Sequence, residues 1–285
     1  MSKMSLCLLA IIFPFMVSAQ TYEQLASMAI DSLEAGRLDA AETLFKRAIE
    51  TAPADARNAM LYANLGNVLM MKGQTDDAIA ALSTALNYIP LSVPILMQRG
   101  RLYLQTGDDR RALADFSNVV DVAPDNTEAL FFKAYLLAQG GEYEKAEADY
   151  KRLLELQPDD KDARLALVLL YNRQRKFEQA ASLLAKLEND YPDDADVLMA
   201  WANTHYGAGQ GEMALADLGR LVRMGTKNPE VHILRGNIYK DKGLTDLAAQ
   251  EYETAITLGA SAAELRPLID ECGGDGQRKS RRARR

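Results

Sequence analysis

Ala41, Ala78, Ala112, Ala146, Ala180, Ala214 and Ala248 stand 37, 34, 34, 34, 34 and 34 residues apart. A fixed step of this length confines a chain to repeat architectures, in which each repeat is one supersecondary unit. Other columns keep the step. Gly36, Gly73, Gly107, Gly141, Gly209 and Gly243 lie five residues before the alanines, with Arg175 as the one substitution. Pro53, Pro90, Pro124, Pro158 and Pro192 lie twelve after, giving way to Thr226 and Ala260 in the last two repeats. A large side chain follows four after each alanine: Phe45, Leu82, Phe116, Tyr150, Leu184, Leu218 and Tyr252.

These columns dictate a helix hairpin. Between each proline and the next glycine, apolar residues recur at three- and four-residue steps, as in Tyr62, Leu65, Gly66 and Leu69, which predicts one amphipathic helix. Glycine stops it through a left-handed turn. The second helix carries the alanine, the large residue and a third apolar position (Ala48, Ala85, Val119, Leu153, Leu187, Leu221, Ala255). Small residues in that stripe let the paired helices approach closely. The proline with its following Asp ("APDN", "QPDD", "YPDD") ends the second helix and caps the next first helix. A lone hairpin cannot bury its apolar face, so neighbours must stack.

Read this way, the sequence resembles the tetratricopeptide repeat family. The family's signature has a small residue in the first helix, Gly at the turn, Ala and an aromatic in the second helix, and Pro at the close. Here the small residue is Ala29, Gly66, Gly100, Ala134, Ala202 or Gly236, with Val168 instead in the fifth repeat. The resemblance implies an all-α, right-handed α-solenoid of about seven hairpins: 22–55, 59–92, 93–126, 127–160, 161–194, 195–228 and 229–262. Val168 beside Arg175 leads us to expect disturbed packing in the fifth repeat, and the extra "ARN" near 56–58 is a second irregularity.

The resemblance further implies that first helices line a concave groove that grips peptides or helical segments of partner proteins. The side chains it would place there include Met60, Asn67, Met71, Met97, Arg101, Phe131, Tyr135, Asn203 and Asn237. Four of the eight methionines after residue 19 fall in the second and third repeats, and flexible thioethers suit a groove that accepts segments of varied shape. Asn67, Asn203 and Asn237 are expected to hydrogen-bond an extended peptide. Some arrays of this family clamp a terminal carboxylate with paired lysines, which no three-repeat frame here supplies.

Chemistry of other kinds finds few residues to work with. Two His, two Cys and one Trp leave no metal-ligand or catalytic spacing. The "GAGQG" run (207–211) follows a helix rather than a strand and lacks Lys-Ser/Thr, so it reads as an interhelix turn. Asp76–Asp77 and Asp159–Asp160 fall at helix starts, where capping and the helix dipole explain them. No enzyme, cofactor or metal is expected.

The ends carry different information. Lys3, an apolar run Leu6–Val17 and small residues before Ala19 and Gln20 read as a signal peptide, 1–19, cleaved between Ala19 and Gln20. That run of 12 is short of the roughly 17–25 residues that span a bilayer. Export to a bacterial periplasm or an outer-membrane-associated site, with work in envelope-complex assembly, is the resulting expectation; plain secretion is the alternative. After the seventh repeat, "SAAELRPLIDEC" opens on a capping box, Ser261 and Glu264, and 263–274 should form a capping helix bent by Pro267. The tail, 275–285, is expected to be disordered. Net charge is −7, yet residues 20–274 carry 39 acids and 26 bases, whereas 275–285 hold six bases and one acid. An alternative function follows: a binder of anionic surfaces or polymers (envelope glycolipid, nucleic acid) acting through the tail.

Overall fold

A computed structural model describes the backbone of residues 20–283 and the side chains of residues 20–273. The expected leader, 1–19, and the last two residues lie outside the described residues. Every regular element among those described is an α-helix. The chain divides into two units, one ending at Ala123 and one beginning at Pro124. The N-terminal unit holds three hairpins: α1 (Tyr22–Glu34) with α2 (Leu38–Thr51), α3 (Asn58–Met71) with α4 (Thr75–Tyr88), and α5 (Val93–Gln105) with α6 (Asp109–Val122). The C-terminal unit holds four: α7 (Thr127–Gln139) with α8 (Tyr143–Leu156), α9 (Lys161–Arg173) with α10 (Phe177–Asp190), α11 (Ala195–Gly207) with α12 (Gly211–Arg223), and α13 (Pro229–Asp241) with α14 (Thr245–Thr257). A last helix, α15 (Ala262–Ala283), packs on α14.

The turn inside each hairpin follows from one backbone requirement. Gly36 has φ +69°, and the amides of Gly36 and Arg37 donate to the carbonyls of Leu33 and Ser32. This is the Schellman closure, which needs a left-handed residue. Arg175 holds that conformation, with φ 59°, where the other six hairpins place glycine.

Second helices end in two ways. In the first five hairpins the C-cap residue leaves the α region (Ala52 φ −142°, Gln157 φ −132°), because the proline that follows disfavours the α conformation in its predecessor. Where proline gives way to Thr226 and Ala260, Gly225 (φ +77°) and Gly259 (φ +105°) take over. There the amide of Thr226 donates to the Leu221 carbonyl, a glycine closure replacing a proline stop.

The core repeats with the sequence. The seven column alanines, from Ala41 to Ala248, are fully buried. The small residue of each first helix sits against the large one sixteen positions later. A Cβ built on Gly66 would lie 2.8 Å from Leu82, on Gly100 3.0 Å from Phe116, and on Gly236 2.5 Å from Tyr252. Val168 is buried at 1% exposure like its counterparts, as is Leu184 opposite it. The extra residues near 56–58 are put to use: Asn58 is fully buried and its Nδ2 donates to the carbonyls of Ala52 (2.7 Å) and Pro53 (3.3 Å).

Side-chain caps start α1, α7, α9, α11 and α13, whereas α3 and α5 start without one. Asn126, Asp160 and Asp194 accept from the amides of Ala129, Ala163 and Val197. The cap helix begins at Ala262 with Pro267 inside it, and Leu265 and Cys272 are buried against Ala248, Tyr252 and Ala255. Its helical backbone continues past residue 274, through the stretch expected to be disordered, to Ala283. The side chains of that stretch lie outside those described.

Candidate groove site

On the N-terminal unit, α3 exposes Met60, Met70 and Met71, and α1 adds Met28 and Ile30. Asn67 is half-buried on α3 and Arg101 is exposed on α5. Met97 departs from expectation. It is 5% exposed, in a buried run with Ile95 and Leu96, so it belongs to the core and no ligand reaches it.

Of the three asparagines, one turns inward. Asn203 Nδ2 donates to the Met199 carbonyl of its own helix (3.0 Å), and Asn237 Oδ1 accepts from the Tyr252 hydroxyl (2.8 Å). Asn237 therefore has an inward partner, whereas Asn203 stays exposed on α11 and Asn67 has no side-chain hydrogen bond among the described residues.

The C-terminal unit brings Phe131 and Tyr135 to a more shaped surface. Phe131 meets Phe132 and Tyr150 edge-on, with ring centroids 5.8 and 5.9 Å apart. Two hollows lie in this region. One, an apolar dimple of about 40 Å³, is walled by Tyr135, Ala138, Tyr150, Leu169 and Leu170, with Arg173 at its edge. Tyr135 is 43% and Leu169 53% exposed there. The Arg173 guanidinium donates to Gln139 Oε1 (3.1 Å), and burial pushes the Tyr150 phenol well above its ordinary pKa. The other, about 250 Å³, opens over Phe131 and Phe132 at the start of α7, with Glu128, Asp160 and Asp162 at its rim.

Sequence reasoning missed Leu169 and Arg173, although Leu169 continues the 34-residue column of Asn67, Arg101, Tyr135, Asn203 and Asn237. It also missed a set of ion pairs inside the hairpins, sixteen residues apart: Arg99–Asp115 (2.7 Å), Lys133–Asp149 (3.0 Å) and Arg235–Glu251 (3.0 Å). The signal was present, as both columns recur at multiples of 34.

The histidines join this structural set. His205 Nδ1 lies 2.7 Å from Asp217 and its ring stacks on Trp201 at 4.9 Å; His232 Nδ1 lies 2.7 Å from Glu251. Burial raises the Asp217 carboxyl despite that histidine. Among the described residues no group of three His, Cys, Asp or Glu side chains is placed to hold a metal ion, and no helix is long and apolar enough to cross a membrane. The arrangement offers shape, apolar contact and charge for gripping a polypeptide.

Comparison with known proteins follows the same pattern. Family models described as "Tetratricopeptide repeat" match residues 97–161 and, separately, 32–92 and 136–204; one described as "Tetratricopeptide Repeats-Sensor" matches 176–268. No protein of curated function matches the chain. Among solved structures, a tetratricopeptide repeat protein from Parabacteroides merdae is 25% identical, with TM-score 0.68 over 88% of this chain and 98% of that one. MamA is similar in fold at 20% identity (TM-score 0.55, 59% of this chain, 92% of that one). YrrB, described as a TPR protein with an unusual peptide-binding site, is similar at 21% identity (TM-score 0.54, 63% and 91%).

Proposed function

This chain belongs to the tetratricopeptide repeat family, and on that premise we propose that it is a non-catalytic scaffold whose C-terminal unit grips a segment of a partner protein. Proteins of this family bind other proteins. The observation that carries the proposal is the dimple between α7 and α9, where Tyr135 and Leu169 remain exposed over apolar walls. A solvated aromatic beside a solvated leucine loses little on mutation in isolation and gains much when a partner side chain excludes water. Arg173 at the edge favours an acidic or carboxylate group next to that apolar anchor. The exposed methionines of α1 and α3 offer the N-terminal unit a second, more adaptable contact surface.

The partner is sought in the cell envelope. The apolar segment before Gln20 supports export, and the work we assign to the chain is assembly of envelope complexes. Affinity capture with residues 20–285 from a native envelope, run beside the double variant Tyr135→Ala/Leu169→Ala, tests the groove. Recovery of the main partner should fall at least about tenfold, the scale of lost hot-spot side chains. Unchanged recovery from a variant with an unaltered helical spectrum refutes the reading. N-terminal sequencing of the exported chain tests the cleavage point, which should leave Gln20 first.

A further inference from the structure

The cavity over Phe131 and Phe132 differs from the dimple in charge. It is lined by Glu128, Asp160 and Asp162 with Thr127, and among the described residues no lysine or arginine lines it. Asp162 is exposed and has no ion-pair partner among the described residues. Its column continues at 34-residue steps through Asp196 and Glu230. The surrounding unit is strongly acidic: residues 124–274 hold 26 acids and 17 bases, a net of −9. Residues 275–285 of the same chain hold six bases and one acid.

The ends of the stack decide which molecule supplies the cation. First helices of this unit run parallel. Lys161, opening α9, bridges Asp194 and Asp196 where α11 begins (2.6 and 3.2 Å). Tyr206, late in α11, donates to Asp241 at the end of α13 (2.8 Å). Lys240, beside it, bridges Glu271 of α15 (2.6 Å), so α15 runs the same way and occupies the place of a next first helix. Its basic end therefore leaves from the edge where first helices finish. The cavity opens at the opposite edge, where α7 and α9 begin, and the α11–α12 and α13–α14 hairpins lie between. A chain's own tail would have to unwind the last turns of α15 and run back across the neighbouring first helices to reach it.

We propose that the Phe131–Phe132 cavity takes an arginine side chain from residues 278–285 of a second copy of this chain. A guanidinium over a ring face gains from the ring quadrupole, and the exposed Asp162 carboxylate accepts its fork of donors. The net negative charge of the unit attracts the remaining cations of the tail. The contact is head to tail, so it builds open chains of molecules rather than closed dimers. It uses a different cavity from the partner dimple, and it stands or falls apart from that reading.

Sedimentation equilibrium of residues 20–285 at low ionic strength provides the test. The average mass should exceed that of one chain and rise with concentration, returning to one chain in high salt. Asp162→Lys, an exposed change that leaves the fold intact, should weaken association at least about tenfold by placing like charge against the tail. Deletion of 275–285 should abolish it, and a labelled peptide of those eleven residues should then bind the shortened chain but not its Asp162→Lys form. A monomer at every concentration in low salt overturns the proposal. So does association that survives Asp162→Lys or loss of the tail, or a peptide that binds both forms equally.

Discussion

At Gly236 two effects of known size oppose each other. Replacing a helical glycine by alanine gains about 1 kcal/mol of intrinsic helix preference. The added methyl would sit 2.5 Å from the Tyr252 ring, and forcing atoms into a filled core costs about 1–3 kcal/mol. Tyr252 is fully buried and pinned by the hydrogen bond to Asn237, so the clash wins. Gly236→Ala should lose about 1 kcal/mol or more in urea unfolding, and Gly66→Ala, whose methyl would meet Leu82 Cγ and Cδ2 at 2.8 Å, should also lose stability, but less, since an aliphatic side chain yields more readily than a pinned ring. Arg175 shows the reverse case. A non-glycine residue at φ 59° costs about 1–2 kcal/mol, partly offset by its guanidinium 5.7 Å from the Phe177 ring centroid, worth about 0.5–1 kcal/mol when exposed. Arg175→Gly should therefore stabilise the chain by roughly 0–1.5 kcal/mol, measured by the same unfolding curves, and a loss of stability would overturn this.

Single hairpins are held by ion pairs as well as by these small-to-large contacts. Asp115 is 2% exposed and its two oxygens accept from Arg99 at 2.7 and 2.8 Å. Removing one partner of a buried pair leaves the other charge uncompensated, so Asp115→Ala should cost about 3 kcal/mol. Neighbouring hairpins are tied by carboxylates that titrate. Hydrogen bonds from Lys46 and Lys72 hold Glu42 below its ordinary value near 4.5. At Glu147, burial pushes the carboxyl up, but Lys151 and Lys176 outweigh it and leave it lowered. A lowered folded pKa stabilises above the unfolded value and loses that contribution as pH falls through the folded one. Thermal stability should therefore decline below about pH 4.5, and the decline should be shallower in Lys72→Met/Lys176→Met.

The hairpin was legible because one residue per column does one steric job: alanine at the close approach, glycine at the left-handed turn, proline at the stop. Where a job has two solutions the column breaks, and the sequence alone did not reveal that Gly225 and Gly259 replace the prolines. The groove was legible as a set of positions but not as a surface. Period places Met97 beside Asn67 and Arg101, yet exposure depends on what covers each helix, and Met97 is covered. Asn237 was likewise spent inside its hairpin on Tyr252. Leu169 was overlooked because its repeat carries the two departures from pattern, Val168 and Arg175, although neither disturbs the buried column.

In a stack of hairpins, stability is a sum over repeats and their nearest neighbours. Four hairpins and a cap make the C-terminal unit long enough to stand on that sum. Residues 124–285, expressed alone, should keep a helical circular dichroism spectrum and melt cooperatively; a disordered product would show that its stability depends on the three hairpins before it. The sum also implies that stacks loosen from their ends. Here the final helix carries Cys272, 2% exposed beneath the last hairpin, and it is the one cysteine after residue 19. A thiol reagent therefore finds its target only while the cap is lifted. The rate of labelling becomes a clock for that opening, readable in the unmodified protein, and its dependence on urea separates a local lift of the cap from unfolding of the whole unit.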